Sequence, residues 1–198
     1  GIIATVIATA LGTLAALGLS RPHMPYKGLI MAILISPMIV PLIITAAGMF
    51  FFYARINLVY TFTGVILAHV ALATPFVVIT VTATLVGFDM NMVKAAQSLG
   101  AKPMRTFFKV IMPLILPGII SGALFAFITS FDEVVIVMFM ASIDQLTIPK
   151  QMWAGIRQEI SPVILCMATC LVLLSIFLLT TVELLRRRSE KLRGIKAR

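Results

Sequence analysis

The chain has 198 residues, 61% of them hydrophobic and 12% charged, with 16 lysines and arginines against 7 aspartates and glutamates. A mean hydropathy of +1.11 excludes an ordinary soluble domain, whose apolar share is roughly half. The net charge of +9 is explained by basic residues sorting to one side of a membrane, so it calls for no nucleic acid.

Five apolar runs come near or above the ~20 residues a helix needs to cross the hydrocarbon core: 2–19, 28–52, 62–86, 113–141 and 162–182. Backbone polar groups in lipid must be bonded within the segment, so all five are predicted to be helices. The predicted class is an all-α, polytopic membrane protein, with residues 1–198 forming a single transmembrane domain.

In the first run, Ala4, Ala8, Gly12, Ala15, Ala16 and Gly18 are small enough for close packing in lipid, where association depends on contact. With a cytoplasmic C-terminus and five spans, Gly1 lies outside. A chain that starts outside without Met or a signal-peptide pattern is expected to be a piece lacking a preceding inward-to-outward helix. Arg21 to Lys27, with Pro22 and Pro25, reads as a tight inside turn in which His23 is a surface residue. The second run contains Pro37 and Pro41, which mark kinks. Phe51, Phe52, Tyr53, Tyr60 and Phe62 make an aromatic belt at the outer edge. In the third run His69 either lines a path or bonds a neighbouring helix, and the second reading is preferred. The run contains Pro75 and closes at Gly87.

A polar, basic stretch of about twenty residues follows. Asp89 caps a short helix over 91–99, because its carboxylate can accept from the unpaired N–H groups of the first turn. Gly100 ends that helix by entering the left-handed conformation without a Cβ penalty, and Pro103 opens the next one. Ala95, Ala96 and Ser98 form a small-residue surface on the first helix. Met104, Phe107, Phe108 and Ile111 form an apolar face on the second.

The fourth run holds Asp132 and Glu133. Both are predicted to sit in the outer half of a spanning helix, where an ionised carboxylate is costly unless paired or wet. Adjacent helical positions point about 100° apart, so at most one faces a central path. Either one lines the route of a cationic solute, or the pair serves an interhelical bond. Between the last two runs, in an external loop over 142–161, Pro149 can start a short helix on the outer surface with Trp153 at headgroup depth and Glu159 near its end. Cys166 and Cys170, one turn apart in the last run, read as small packing residues. The tail from Arg186 is a basic, headgroup-facing helix end.

A cytoplasmic C-terminus puts Arg21, Lys27, Lys94, Lys102, Arg105, Lys109 and the tail's Arg186, Arg187, Arg188, Lys191, Arg193, Lys196 and Arg198 inside. Only Arg55, Lys150 and Arg157 of the 16 basic residues then lie outside. The sequence contains no GxxxxGK[ST] phosphate loop, HExxH or CxxC motif, and no nucleophile, base and orienter set. No ATP hydrolysis, metal centre or cofactor is therefore expected of this chain itself.

The run Lys94-Ala95-Ala96, then Gly100 after three residues, then Val110-Ile111-Met112-Pro113 after nine more, resembles the EAA loop of the permease subunits of bacterial ABC importers. Lys94 stands where that family usually has Glu, and Val110 and Met112 replace Ile and Leu. The resemblance implies a cytoplasmic coupling loop over 88–112 that docks on an ATPase subunit, with Lys94, Ala95, Ala96, Ser98, Leu99, Gly100 and Pro113 at the contact. It also implies a type I importer permease bundle with six helices in full length, a bacterial inner-membrane location, and a second permease as partner. Its other partners would be an ATPase dimer and an external or periplasmic solute-binding protein, for which the 142–161 loop is either a receptor or only a connector. Ser130-Phe131-Asp132-Glu133-Val134-Val135, with Leu146-Thr147-Ile148-Pro149, Met152-Trp153, Ile156-Arg157 and Ser161-Pro162, is similar to the branch importing spermidine and putrescine. Branches carrying ferric iron, opines or phosphonates share parts of these motifs. The alternatives from other classes are an ion-coupled secondary transporter using Asp132 and Glu133, and a membrane scaffold without transport.

Overall fold

The computed structural model describes residues 1–21, 24–86, 89–158 and 162–192. Pro22, His23, Gly87, Glu159, Ser161, Arg193, Lys196 and Arg198 lie outside the described residues, as do the side chains of Arg157, Arg186, Arg187, Arg188 and Lys191.

Helix α1 (Ile2–Leu19) buries Ala4, Ala8, Gly12 and Ala16, a stripe repeating every four residues, which places it along one face of a helix. The approach to its neighbour is close. A Cβ at Gly12 would stand 2.6 Å from the Val77 Cβ. Ala15 and Gly18, expected in the same contact, are only half-buried.

The second apolar run, expected as one span kinked at its prolines, is sharply broken. It forms α2 (Lys27–Ile39) and α3 (Leu42–Arg55), bent by 105° at the break. Pro41 explains the break, since it has no N–H to donate and its ring pushes the preceding residue out of the helical region. Val40 accordingly lies at φ −70°, ψ 136°. At about 1.5 Å per residue, neither helix alone spans a ~30 Å core.

Helix α4 (Phe62–Val86) is the centre of the bundle and is apolar on every side, as a helix with neighbours all round must be. One face, through Val70, Ala73, Val77 and Val81, meets α1 and the later helix that carries Ile115, Ile119 and Ala126. The other, through Ala68 and Leu72, meets Ala46 of α3 together with Ile136 and Met140.

Helices α5 (Met90–Ser98) and α6 (Pro103–Thr106) form the polar stretch. A π turn, Phe107–Ile111, joins α6 to α7 (Met112–Phe131), so that 103–131 run as one long helix. Gly118 and Gly122 let α7 press on α4. A Cβ at Gly122 would lie 2.9 Å from the Val77 Cα, and one at Gly118 3.0 Å from the Thr80 carbonyl.

The fourth run also departs from a single span. Helix α7 stops at Phe131, and α8 (Val135–Met140) begins after a break. Helix α9 (Ile148–Gln158) takes up Pro149 in its first turn, as the sequence predicts. Helix α10 (Pro162–Leu192) lies at the edge, against α7 and α9. Cys166 and Cys170 are free thiols exposed on α10, so within this chain they are not the buried packing residues expected. Four helices are long and apolar enough to cross a membrane, and the bent pair raises the number to five if it counts as one span.

Candidate functional site

The polar stretch is organised by its caps. Asp89 precedes α5 with extended backbone, and its Oδ1 accepts from the Asn91 N–H at 2.9 Å. At the other end Gly100 adopts φ +79°. Its N–H donates to the Gln97 carbonyl at 2.9 Å, and the Ala101 N–H donates to that of Ala96 at 3.0 Å. This pair of bonds is the Schellman closure that a left-handed glycine permits. The geometry sets a sharp turn between α5 and α6, with Pro103 at the start of the latter.

What the stretch leaves uncovered is apolar as well as polar. Lys94, Ala95, Ser98, Gly100 and Pro113 are exposed and Ala96 is half-buried. Leu99 is 88% exposed, Met104 69% and Phe108 58%. Large apolar side chains exposed at the turn (Leu99), in α6 (Met104) and in the π turn (Phe108) are of the kind that ordinarily marks a contact.

At the opposite end of the bundle the carboxylates diverge because the chain breaks between them and α8, not because of a 100° helical offset. Glu133 turns inward and is 7% exposed. Its Oε1 accepts from the Ile136 N–H at 2.6 Å, satisfying a donor in the first turn of α8 that no helical carbonyl can reach. Asp132 is exposed. It borders a cavity of about 260 Å³ between α7 and α10, with Phe127, Phe131, Leu171 and Ser175 in the walls.

This end is tied to its neighbours by polar bonds. His69 of α4, 5% exposed, places Nδ1 2.8 Å from the Ser130 Oγ on α7. The histidine therefore bonds a neighbouring helix, the reading preferred from the sequence, and does so two residues before Asp132. Beyond α8, the Gln145 side chain accepts from the Ser142 N–H at 3.1 Å and donates to the Tyr60 carbonyl at 3.2 Å. The Tyr60 N–H in turn donates to the Met140 carbonyl at 2.9 Å. The Lys150 ammonium stands 3.5 Å from the carbonyl of Ala141 and 3.4 Å from that of Ser142, the cation-at-a-C-terminus arrangement that helix carbonyls favour.

Sequence reasoning singled out Asp132, Glu133 and His69 but not Ser130 as the partner of His69, nor Gln145 as a clasp. Ser130 carried a legible signal, a hydroxyl in an apolar run one residue from the carboxylate pair. Gln145 carried none, because its partners are 85 positions away in one direction and three in the other. Among the described residues no three His, Cys, Asp or Glu side chains gather to hold a metal.

Comparison with known proteins places this geometry. The family model described as "Binding-protein-dependent transport system inner membrane component" matches residues 8–191. The chain is 30% identical over 187 residues to the spermidine/putrescine transport system permease protein PotC of Haemophilus influenzae, covering 94% of this chain and 73% of that protein. It is 37% identical over 103 residues to the putrescine transport system permease protein PotI of Escherichia coli, covering 52% of this chain and 37% of that one. The trehalose transport system permease protein SugB of Mycobacterium tuberculosis matches at 31% over 142 residues, 72% of this chain and 52% of the relative. In structure, an inward-facing form of the MetNI methionine ABC transporter superposes with a TM-score of 0.74 at 17% identity, over 94% of this chain and 89% of that one. This last likeness speaks to the fold alone, which is that of a type I importer permease. The chain belongs to the family of binding-protein-dependent transport system inner membrane components, as a multi-pass permease subunit of an ABC importer.

Proposed function

We propose that this permease forms part of the path for an aliphatic polyamine of the spermidine and putrescine class, with Asp132 as the carboxylate that meets the cation. The observation that carries the reading is the divergence of the two acids. Glu133 is engaged in capping α8, whereas Asp132 is exposed beside a cavity and carries a charge free to attract an ammonium group. The relatives whose names include spermidine or putrescine supply the solute class.

Energy would enter at the other end. A separate ATPase dimer docks on the coupling loop, residues 88–112, through Lys94, Ala95, Ala96, Ser98, Leu99, Gly100 and Pro113. The exposed Leu99, Met104 and Phe108 support this, since exposed apolar groups within a polar stretch gain from burial against a partner. The distribution of Lys and Arg supports a cytoplasmic coupling loop and C-terminus. A second permease completes the path, and a solute-binding protein delivers the polyamine to the 142–161 side.

The test is uptake of labelled spermidine by the complete importer carrying Asp132→Asn or Glu133→Gln. Asp132→Asn is expected to depress uptake strongly while ATPase association persists, and Glu133→Gln, which keeps a carbonyl acceptor for Ile136, to depress it less. Unchanged uptake in Asp132→Asn refutes the role given to Asp132.

A further inference from the structure

The face that α10 turns toward α7 is not wholly apolar. Leu171, Ser175 and Leu178 are half-buried, while Val172, Leu173, Leu174, Ile176 and Phe177 are exposed. Steps of four and three residues put the half-buried set on one face of the helix. Ser175 therefore lies on the inward side, in the wall of the cavity of about 260 Å³ between α10 and the end of α7. Among the lining residues Asp132 and Ser175 alone have polar side chains, the acid from α7's end and the hydroxyl from α10. The rest of the wall is aliphatic or aromatic.

Both polar groups are uncommitted. Thr169 and Thr181, on the same helix, donate to carbonyls four residues back at 2.9 and 2.8 Å, the usual way a hydroxyl is satisfied in an apolar helix. Ser175 makes no such bond, and among the described residues no hydrogen bond or ion pair engages its hydroxyl or the Asp132 carboxylate. A small residue kept for close packing would have the neighbouring helix against it. Here a space much larger than the ~30 Å³ share of one water lies in front of it instead.

The pair limits what can occupy that space. An ionised carboxylate only accepts, and a hydroxyl accepts through its lone pairs. A primary ammonium group brings one charge and three N–H donors, so it can answer both walls at once. A quaternary ammonium carries the charge without an N–H and leaves the hydroxyl unpaired in apolar surroundings, which is a basis for rejecting it. A hard metal ion needs six or more oxygens around one point, and an anion is repelled by Asp132.

We propose that Ser175 is a specificity-determining residue for the transported solute, its Oγ accepting an N–H from the same ammonium group that pairs with Asp132. The inference rests on the polyamine reading of Asp132 and adds the opposite wall of that site. Spacing along the chain carries no sign of it, since a serine in an apolar helix usually bonds its own backbone.

The experiment uses the complete importer in vesicles, with its binding protein, and labelled spermidine at graded concentrations. Ser175→Ala is expected to raise the concentration for half-maximal uptake by about three- to tenfold, the loss of one hydrogen bond in a half-open site. The maximal rate of ATP hydrolysis and the midpoint of thermal unfolding stay near those of the parent. Ser175→Thr, which keeps the hydroxyl, is expected to stay near the parent in half-saturation as well. If Ser175→Ala fails to assemble, Ser175→Cys, of similar shape but a weak acceptor, decides in its place. Parent-like half-saturation in the variant without the hydroxyl overturns the role of Ser175, and so does an equal rise in Ser175→Thr. A lowered unfolding midpoint with half-saturation unmoved makes the residue structural and overturns it too. Should Asp132→Asn still depress uptake in any of these cases, the polyamine reading survives without Ser175. A parent complex that moves neither spermidine nor putrescine overturns both.

Discussion

The two ends of α7 are built on opposite plans. Where α7 begins, it continues a π turn and the short α6, which hang from α5 by a glycine turn and present Leu99, Met104 and Phe108 to solvent. Where it ends, His69 bonds Ser130, Glu133 caps α8, and Gln145 clasps the turn before α4. The first end leaves apolar groups uncovered, and the second ties its elements together by polar bonds within the chain, with the His69 Nε2 buried and without a partner among the described residues. Bonds between neighbouring elements stiffen their surroundings, whereas few buried contacts and exposed backbone mark segments that move at low cost. Under the function proposed above, in which force enters at one end and solute is selected at the other, this difference has a use.

Substitutions at the two ends should therefore fail in different ways. The largest effect is expected from Gly100→Pro. Proline fixes φ near −65°, which cannot be reconciled with +79° at this position. Spermidine uptake by the complex should fall to background and the ATPase should no longer co-purify, while the level of folded permease in the membrane is maintained. Persistence of both uptake and co-purification removes the coupling role of this turn.

At the other end the expected defect is in stability. Glu133→Ala strips a buried acceptor from the Ile136 N–H, an effect of about 1–3 kcal/mol, and should lower the midpoint of thermal unfolding in detergent. Glu133→Gln, which leaves an acceptor in place, should recover much of the loss. A midpoint unmoved by Glu133→Ala shows that the cap carries no weight. Ser130→Ala is expected to cost about 1 kcal/mol by the same readout, because it deprives the His69 Nδ1 of its partner. If it instead leaves the midpoint intact and alters only uptake, the bond serves the path and not the scaffold.

The smallest effect is expected from Lys94→Glu, which installs the residue usual in the family pattern. Lys94 is exposed and has no ion pair among the described residues, so permease stability should change by no more than about 0.5 kcal/mol. ATPase co-purification reports whether the docking surface has adapted to lysine. Retention equal to the parent's assigns the position no part in the contact, while a weaker hold gives the lysine a partner on the ATPase.

Local patterns survived the passage to three dimensions wherever their cause was local. The Asp89 cap, the glycine turn and the proline start of α6 depend on backbone stereochemistry within a few residues, and they stand where the spacing put them. The small-residue stripe of α1 held at the four positions that meet α4 and lapsed at Ala15 and Gly18. Stereochemistry at Pro41 was equally local, but a kink and a 105° bend follow from the same residue, and only packing against α4 and α8 separates them.

By itself the sequence determined the membrane class, the helical character of the apolar runs though not the breaks in the second and fourth, the turn between α5 and α6, and the acids worth attention, because hydropathy, caps and chirality act within one or two helical turns. Only the tertiary structure decided that Glu133 faces inward and Asp132 outward, that Ser130 answers His69, and that Gln145 bonds the Tyr60 carbonyl. Those outcomes depend on where α7 stops and on which helices lie beside it. Burial and long-range hydrogen bonding are properties of neighbours in space, and no spacing along the chain encodes them.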